Sequence, residues 1–139
     1  MAERKSVRIN GIRVAPSEDE EQITVMSWAR MMVGRYPELA LLHHIPNGGL
    51  RSKREAVIFR AMGVMPGIPD LYLPAACGGY HGLYIEMKAV DGRLSAAQRE
   101  VIAMLCAAGY RCEVCRGAEA AIRVIEDYLA GSRGGGDEQ

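Results

Sequence analysis

Three short motifs, each a serine followed three residues later by glutamate or glutamine, divide the sequence into helices and the segments between them. Such a serine caps a helix, because its hydroxyl accepts a hydrogen bond from the backbone N–H three residues on. The Glu or Gln side chain then accepts a bond from the serine N–H in return. The motifs therefore predict that helices begin directly after Ser17, Ser52 and Ser95.

Short apolar runs bounded by glycine and proline alternate with these helices, as is typical of strands. The predicted elements are a helix over 18–34, a strand over 39–45, a helix over 53–62, strands over 70–73 and 83–89, a helix over 96–108, a strand over 110–116 and a helix over 118–130. The paired glycines in "PAACGGYHG" indicate a hairpin between the two middle strands. A strand–helix–strand unit follows, so the sequence predicts an α/β (α+β) fold with a mixed central sheet flanked by helices.

Length and composition favour one domain. The chain has 139 residues, and 49% of them are hydrophobic, which is enough for a core. We expect the domain over 17–130, a flexible polar segment over 1–16 and a flexible glycine-rich tail over 131–139. No apolar run approaches the roughly 20 residues of a membrane span, and the N-terminus lacks the apolar core of a signal peptide. A cytoplasmic location without membrane contact is therefore expected.

Charge and cysteine usage argue against a generally basic nucleic-acid-binding protein and against a zinc-binding protein. The 17 basic residues are balanced by 17 acidic ones, so a general basic field for nucleic acid is absent and any such binding must come from local clusters. Cys112 and Cys115 have CxxC spacing, but no second CxxC exists. On a strand these two thiols point to opposite faces, which disfavours a zinc site.

The candidate site lies in two neighbouring predicted strands. In "LYIEMKA", residues 83–89, Glu86 and Lys88 alternate onto the face opposite the apolar residues, and Asp70 begins the preceding strand of the hairpin. Two adjacent carboxylates repel each other unless a cation lies between them. Mg²⁺ or Mn²⁺ prefers such oxygen ligands and can polarise a phosphodiester oxygen. The two acids and Lys88 therefore predict a divalent-metal site for phosphodiester chemistry.

A third acid is available in "SEDEEQ", at the start of the first helix. Acids in a first helical turn interact favourably with the helix dipole and need no further role. From the residues alone, Glu18 and Glu21 both remain candidates for the metal site.

The densest positive stretch is "HHIPNGGLRSKREAVIFR", residues 43–60. Glycines allow the backbone to approach a phosphate closely, and the start of the next helix offers free N–H groups. We expect contacts to the nucleic-acid backbone from Asn47, Arg51, Lys53 and Arg54. An ordinary solvated helix start is the alternative. One of the adjacent histidines, His43 and His44, is expected to face the site.

These motifs together resemble a known family. "HIPNGGLRS", "GVMPGIPDLYLP" and "GLYIEMKAVDGRLSAAQRE", in this order, are similar to the VRR-NUC domain of the PD-(D/E)XK nuclease superfamily, in its standalone phage and prophage form. The resemblance covers about residues 17–129. It implies a restriction-endonuclease-like core with the order α-β-β-β-α-β, into which this chain inserts one helix after the first strand.

The resemblance also implies roles for individual residues. Asp70 and Glu86 would ligate Mg²⁺ or Mn²⁺ with the Met87 carbonyl, and Lys88 would be the catalytic lysine. Glu18, with a glutamine four residues on, best matches the family's glutamate on the first helix. Gln98 matches a recurrent glutamine near the site, with helix capping as the alternative. Small standalone members are similar to Holliday-junction resolvases and tend to form homodimers.

Three functions follow as hypotheses. The first is a metal-dependent DNA nuclease, acting as a structure-selective endonuclease on branched or flapped DNA in a bacterium or a phage-infected cell. The second is a non-catalytic nucleic-acid-binding module on a nuclease fold. The third is a structural or partner-binding protein. The complete trio of two acids and a lysine favours the first.

Overall fold

The helices and strands follow the chain order predicted from the serine motifs and the apolar runs. A hairpin is added before the first helix, and a 3₁₀ helix replaces part of the first predicted strand. The computed structural model describes residues 7–14, 17–46 and 52–131. The elements are β1 (Val7–Ile9), β2 (Ile12–Val14), α1 (Glu18–Met31), a 3₁₀ helix (Pro37–Leu41), β3 (His43–His44), α2 (Lys53–Ala61), β4 (Leu71–Leu73), β5 (Leu83–Lys88), α3 (Ala96–Ala107), β6 (Arg111–Arg116) and α4 (Ala118–Ala130).

The helix starts match the sequence prediction because the serine caps form. Ser17, Ser52 and Ser95 each accept a hydrogen bond from the backbone N–H three residues on. At Ser95 the full capping box is present, since the Gln98 side chain also bonds the Ser95 N–H. These bonds satisfy N–H groups that the first turn of a helix leaves without partners.

A four-stranded mixed sheet in the order β3-β4-β5-β6 forms the centre of the molecule. β4 pairs antiparallel with both β3 and β5, and β5 pairs parallel with β6. The parallel pair requires a crossover, which α3 supplies. The predicted α/β fold with a mixed sheet and flanking helices is confirmed.

The core lies on one face of this sheet, where α1 and α4 pack. The inward side chains of β5 are almost completely buried, and so are the residues of α1 and α4 that pack against them. The central residues of this core are Leu83, Ile85 and Met87 from β5, Val25 and Ala29 from α1, and Ala121 and Ile125 from α4. Fully burying one such large apolar side chain contributes roughly 1.5–3 kcal/mol. This face therefore anchors β5, the strand that carries the candidate site on its other side.

The opposite face carries the polar and aromatic side chains and is covered differently. By register, Tyr72, Tyr84, Glu86 and Lys88 share this face, and α3 packs against β6 beside them. α2 buries none of its residues against the described part of the chain. The site face is therefore covered by α3 near β6 and stays more open towards β4.

The predicted strand over 39–45 is wrong in its first half. Residues Pro37–Leu41 form a 3₁₀ helix with Leu39 buried, and strand pairing is limited to His43–His44. Proline favours the first turn of a helix, because its fixed φ suits that turn and its missing N–H is not needed there. The apolar run is continuous, so its composition did not reveal the change of backbone conformation.

A hairpin not predicted from the sequence occupies residues 7–14. β1 and β2 pair antiparallel through Asn10 and Gly11, whose φ values of 49° and 79° lie in the left-handed region. An Asn-Gly pair between short apolar runs is a strong signal for this turn. The prediction of a flexible segment over 1–16 overlooked it. Residues 1–6 and 15–16 of that segment lie outside the described residues, as does the predicted tail over 131–139 apart from its first residue.

We expect the core on the α4 face to control stability. Ile125→Ala removes a side chain that is 0% exposed, and such truncations cost about 2–5 kcal/mol. Urea unfolding followed by circular dichroism measures the change. Met104→Ala, at a side chain that is 67% exposed, is the control and should shift the free energy of unfolding by less than about 0.5 kcal/mol. Equal losses in the two variants would contradict this description of the core.

Candidate active site

β5 places an acid and a lysine side by side on the site face. Glu86 and Lys88 alternate with the buried Ile85 and Met87, so their side chains share the face that α3 partly covers. Lys88 Nζ lies 3.8 Å from Glu86 Oε1, with the two side chains 11% and 3% exposed. The pair is thus shielded from solvent, and its charges interact more strongly than surface charges do.

The β4–β5 hairpin brings Asp70 to the same place. Asp70 directly precedes β4, and its Oδ2 accepts a hydrogen bond of 2.8 Å from the Met87 N–H. This bond joins the residue before β4 to the second-last residue of β5. Asp70 and Glu86 are therefore held next to each other, as the sequence predicted for a metal site; their roles as ligands remain predictions.

Electrostatics make this carboxylate pair unfavourable by itself. Burial raises the pKa of Glu86 to about 8, and the negative charge of Asp70 adds to the shift, while Lys88 opposes it. Burial also raises the pKa of Asp70, although the Met87 N–H opposes that rise. Glu86 Oε2 is buried without a hydrogen-bond partner among the described residues. A buried acceptor left in this state costs free energy, which a bound cation would recover.

Glu18 and Glu21, the two candidates for the third acid, have different surroundings. Glu18 Oε1 accepts a hydrogen bond of 3.2 Å from the Ala89 N–H, directly after β5. Its negative charge contributes to raising the pKa of both Asp70 and Glu86. Glu21 Oε2 instead accepts a bond of 2.6 Å from the Ala118 N–H at the start of α4. Glu18 is therefore at the site, and Glu21 caps a helix.

Gln98 caps α3 and also lies beside the candidate site; its predicted contact with water or phosphate remains a prediction. Its Oε1 accepts a bond of 2.9 Å from the Ser95 N–H and completes the capping box. Its Nε2 donates a bond of 3.0 Å to Glu86 Oε1. An amide has a donor at one end and an acceptor at the other. Glutamine can therefore cap α3 and orient Glu86 at once, whereas glutamate could only cap.

Sequence reasoning missed Arg116, which organises the turn after β5. Its Nη1 donates to the carbonyls of Ala89, Val90 and Gly92 at 2.7, 3.3 and 2.6 Å. The same turn carries the Ala89 N–H that bonds Glu18. An arginine at the end of a strand belongs to no motif, so this role depends on tertiary structure.

Gly67, within the "PGIPD" motif, was also missed. Its φ of +85° is in the left-handed region, and a Cβ there would lie 2.6 Å from the backbone C and O of Ala97. The loop that leads to Asp70 thus touches the first turn of α3 directly. A glycine beside a functional acid was the available signal, since glycine permits such close approach.

The two adjacent histidines have different contacts. His44 Nδ1 lies 2.8 Å from the Asp70 carbonyl oxygen, and a positive charge on His44 lowers the pKa of Asp70. His43 lies edge-on to Tyr72, on the site face. Both rings are exposed.

The structure describes two of the four residues that are predicted to contact nucleic acid. Lys53 and Arg54 are exposed in the first turn of α2. Asn47 and Arg51 lie outside the described residues. The role of all four residues in nucleic-acid binding remains a prediction.

The site can hold a hard cation with few protein ligands. Among the described residues, no three His, Cys, Asp or Glu side chains converge as a metal-binding group. Mg²⁺ typically keeps several waters and uses one or two carboxylates with substrate phosphates. Asp70 and Glu86, whose Oε2 has no hydrogen-bond partner among the described residues, fit that requirement.

All four cysteines are free thiols. In the register of β5 and β6, Cys112 lies opposite Tyr84 and Cys115 lies opposite Met87, so the two thiols are on opposite faces of the sheet, as predicted.

Comparison with known proteins identifies the family. The family model of the VRR-NUC domain matches residues 11–119. The chain belongs to the VRR-NUC domain family. A solved structure described as a VRR_NUC domain protein is 34% identical, with a TM-score of 0.69 over 82% of this chain and 88% of the other. No curated protein matches. Within the described residues, no helix has the length and apolar character to cross a membrane.

The VRR-NUC domain is a nuclease domain, which supports a nuclease function and implies nucleic-acid binding. The match begins at residue 11, inside the β1–β2 hairpin, and ends at the start of α4. It therefore includes Asp70, Glu86 and Lys88, together with Gln98 and Arg116.

We expect the stability of the metal-free protein to fall as the pH rises. The pKa of Glu86 is raised from 4.5 to about 8, so the folded protein keeps a proton that the unfolded chain releases between these values. The stabilising contribution is complete below the unfolded pKa and is lost as the pH rises through the folded one. Urea unfolding in EDTA, between about pH 5 and pH 9, measures the decline.

The comparison variant for this pH profile is Glu86→Gln, which lacks the titrating group and should lose less stability over the same range. Glu119→Gln, at a side chain that is 90% exposed, should follow the wild type. Identical profiles for the wild type and Glu86→Gln would contradict the raised pKa.

Two substitutions at the start of α3 separate capping from orientation of Glu86. Gln98→Glu keeps the capping oxygen but loses the donor to Glu86, so we expect nuclease activity to fall at least about tenfold with helix content kept. Ser95→Ala loses the cap and should lower the free energy of unfolding by about 1 kcal/mol while activity is retained. Cleavage rates and urea unfolding measure both effects. Full activity in Gln98→Glu would show that Gln98 acts as a cap alone.

Proposed function

We propose that this chain is a divalent-metal-dependent deoxyribonuclease that hydrolyses DNA phosphodiester bonds with Mg²⁺ or Mn²⁺. The observation that carries the proposal is the buried pair of Asp70 and Glu86, with an unpartnered carboxylate oxygen, next to Lys88. A folded protein keeps such an unfavourable arrangement where a ligand compensates for it.

Asp70, Glu86 and the Met87 carbonyl would hold the cation. Glu18 lies beside them, bonded to the Ala89 N–H but not converging with the two acids, and we propose it as the third acid. When bound, the cation supplies Lewis acidity at the phosphodiester oxygen and lowers the pKa of a coordinated water. The Met87 N–H holds Asp70 in place, and Gln98 holds Glu86. These hydrogen bonds preorganise the carboxylates, so little reorganisation is needed when the substrate arrives.

Lys88 provides the positive charge of the site. Its ammonium group lies on the same face as Glu86 and is mostly shielded from water. A fixed cation in such surroundings stabilises the negative charge that develops on the phosphate oxygens during attack. We therefore assign Lys88 as the catalytic lysine, and Arg116 as a positioning residue that holds the turn next to it.

The DNA backbone would be held by the start of α2. Lys53 and Arg54 are exposed there, and the preceding stretch contains Asn47 and Arg51. The chain has no net charge, so binding to uniform duplex would be weak and would depend on this local cluster. Such contacts position DNA without recognising its sequence.

The preferred substrate would be branched or flapped DNA, cut by a structure-selective endonuclease similar to Holliday-junction resolvases. The family resemblance supports this choice, as it supports a homodimer. α2 and its C-cap residue also expose apolar side chains, with Val57 68%, Ile58 47% and Met62 74% accessible. Exposed apolar patches commonly mark interaction surfaces. A dimer would carry two sites, enough for two cuts across a junction, and we place the activity in the bacterial or phage-infected cytoplasm.

A cleavage assay tests the proposed function. The purified protein meets a four-way junction, a 5′ flap and a linear duplex, each with Mg²⁺, Mn²⁺ or EDTA. We expect metal-dependent cutting, strongest on the branched substrates. Glu86→Gln and Lys88→Ala should each lose roughly 10²-fold or more of the rate, while the exposed Glu119→Gln should be fully active.

The outcomes separate the proposed nuclease from the alternatives. Full activity of Lys88→Ala or Glu86→Gln would overturn the site assignment. Tight binding of all substrates without cutting in any metal would favour a non-catalytic nucleic-acid-binding module. Equal cutting of junction, flap and duplex would keep the nuclease and reject structure selectivity.

A further inference from the structure

Five aromatic side chains form a continuous surface on the site face, which we call the aromatic face and define as His43, Tyr72, Tyr84, Tyr110 and His81. Tyr72 and Tyr84 stack with ring centroids 4.2 Å apart and an interplanar angle of 13°. Tyr110 lies edge-on to both, at 6.1 and 5.3 Å. The histidines extend the surface at its two ends, each edge-on to a tyrosine.

This surface is accessible, unlike the two tyrosines of the core. Tyr36 and Tyr128 are 6% and 3% exposed in the core. The three tyrosines of the aromatic face are half-buried, and its two histidines are exposed. The rings therefore do not serve to fill the core between the sheet and α1 and α4. Tyr72 and Tyr84 cover one face of each other, and the ring area that stays exposed is available to a ligand.

Two glycines make room for the rings. A Cβ at Gly82 would lie 2.8 Å from Cε2 of Tyr72, and one at Gly109 would lie 2.6 Å from Cδ2 of His81. Gly109 also has a positive φ, at the end of α3, which explains a glycine there independently. Gly82 has no such backbone requirement. A Cβ there would also lie 3.0 Å from the backbone oxygen of Leu73, so the Tyr72 ring and the β4 backbone together leave room only for glycine at position 82.

The aromatic face is continuous with the candidate active site. Tyr84 and Glu86 are alternate residues of β5 and share one face. Alternate residues of a strand are about 6.5–7 Å apart. A nucleic-acid strand with a phosphate at Asp70 and Glu86 would therefore bring a neighbouring base within reach of the Tyr84 ring.

The chemistry of the rings favours a nucleobase. Burial raises the pKa of Tyr72 and Tyr84 above 10.0, and neighbouring tyrosines add to this effect. Both phenols therefore stay neutral and do not repel a phosphate backbone. Aromatic side chains stack with any base, because every base has a flat π face. A base inside a duplex is already stacked on its neighbours and is not available, so the ligand must be unpaired.

We propose that the aromatic face is a stacking site for an unpaired nucleobase next to the scissile phosphate, and that it gives the protein its preference for branched or flapped DNA. This inference depends on the proposed function for its link to cleavage. The binding itself does not depend on catalysis. The two can therefore be tested separately.

A fluorescent base analogue tests the contact directly. A flap substrate carries 2-aminopurine at the unpaired position beside the junction, and the full-length protein is added in EDTA, where no cutting is expected. Stacking on tyrosine should quench the fluorescence for the wild type and for Tyr84→Phe. Tyr84→Leu should lose the quenching and bind the flap roughly 5- to 150-fold more weakly. Tyr80→Leu, at a 42% exposed tyrosine outside the aromatic face, is the matched control.

Cleavage with Mg²⁺ then connects the contact with selectivity. The ratio of flap to duplex cutting should fall in Tyr84→Leu by a factor similar to its loss of flap binding, and Tyr84→Phe should restore the ratio. Circular dichroism and thermal unfolding establish that the variants fold. If Tyr84→Leu does not fold, Tyr72→Leu replaces it, with the same expected results.

Three results would overturn the inference or separate it from the proposed function. Unchanged quenching and flap binding in Tyr84→Leu would reject the stacking site. Conversion of a dimer to a monomer in Tyr84→Leu, seen by sedimentation, would show that a second copy covers the aromatic face and would also reject it. Quenching by a wild type that cuts no substrate would support the stacking site while rejecting the nuclease.

Discussion

The antiparallel register between β4 and β5 is the constraint on which the rest of the site depends. Leu71 pairs with Ile85 and Tyr72 with Tyr84, so Asp70 meets the middle of β5 and bonds the Met87 N–H. Side chains alternate along a strand, and a slip of one residue would turn Glu86 and Lys88 into the core and expose Ile85 and Met87. The free energy of burying that apolar face therefore also holds the charged residues in place. Stability and function are coupled through one strand.

The same arrangement places two carboxyl groups next to each other, and the surrounding residues reduce their repulsion only in part. Asp70 and Glu86 are adjacent, half to fully buried and of like charge, and both have a raised pKa. Gln98 donates to Glu86, and Lys88 lies 3.8 Å away. Glu86 Oε2 still has no hydrogen-bond partner among the described residues. A well-packed fold thus holds a carboxyl pair whose repulsion and hydrogen bonding are incompletely compensated by protein groups. Such an arrangement is expected where a ligand supplies the missing interaction.

The fold was predictable to the extent that its signals are local. Serine caps set the helix starts, since a cap depends on residues within one turn, and α4 has the bounds predicted from glycine and periodicity. The strand over 39–45 failed because an apolar run fits a strand and a buried helical turn equally well. Pro37 was the discriminating residue. The hairpin over 7–14 also had a local signal in Asn10 and Gly11, but the polar surroundings hid it.

Local patterns in the sequence showed which residues could share a face and which chemistry they could perform. Alternation on β5 paired Glu86 with Lys88, and the turn-bounded hairpin brought Asp70 to them, because both effects follow from strand geometry. The tertiary structure decided what depends on contacts between distant segments. It placed Glu18 at Ala89 and Glu21 at α4, gave Gln98 two partners, and assembled the aromatic face from β3, β4, β5 and the segments beside them. Those choices depend on how α1 and α3 pack against the sheet, which no local pattern encodes.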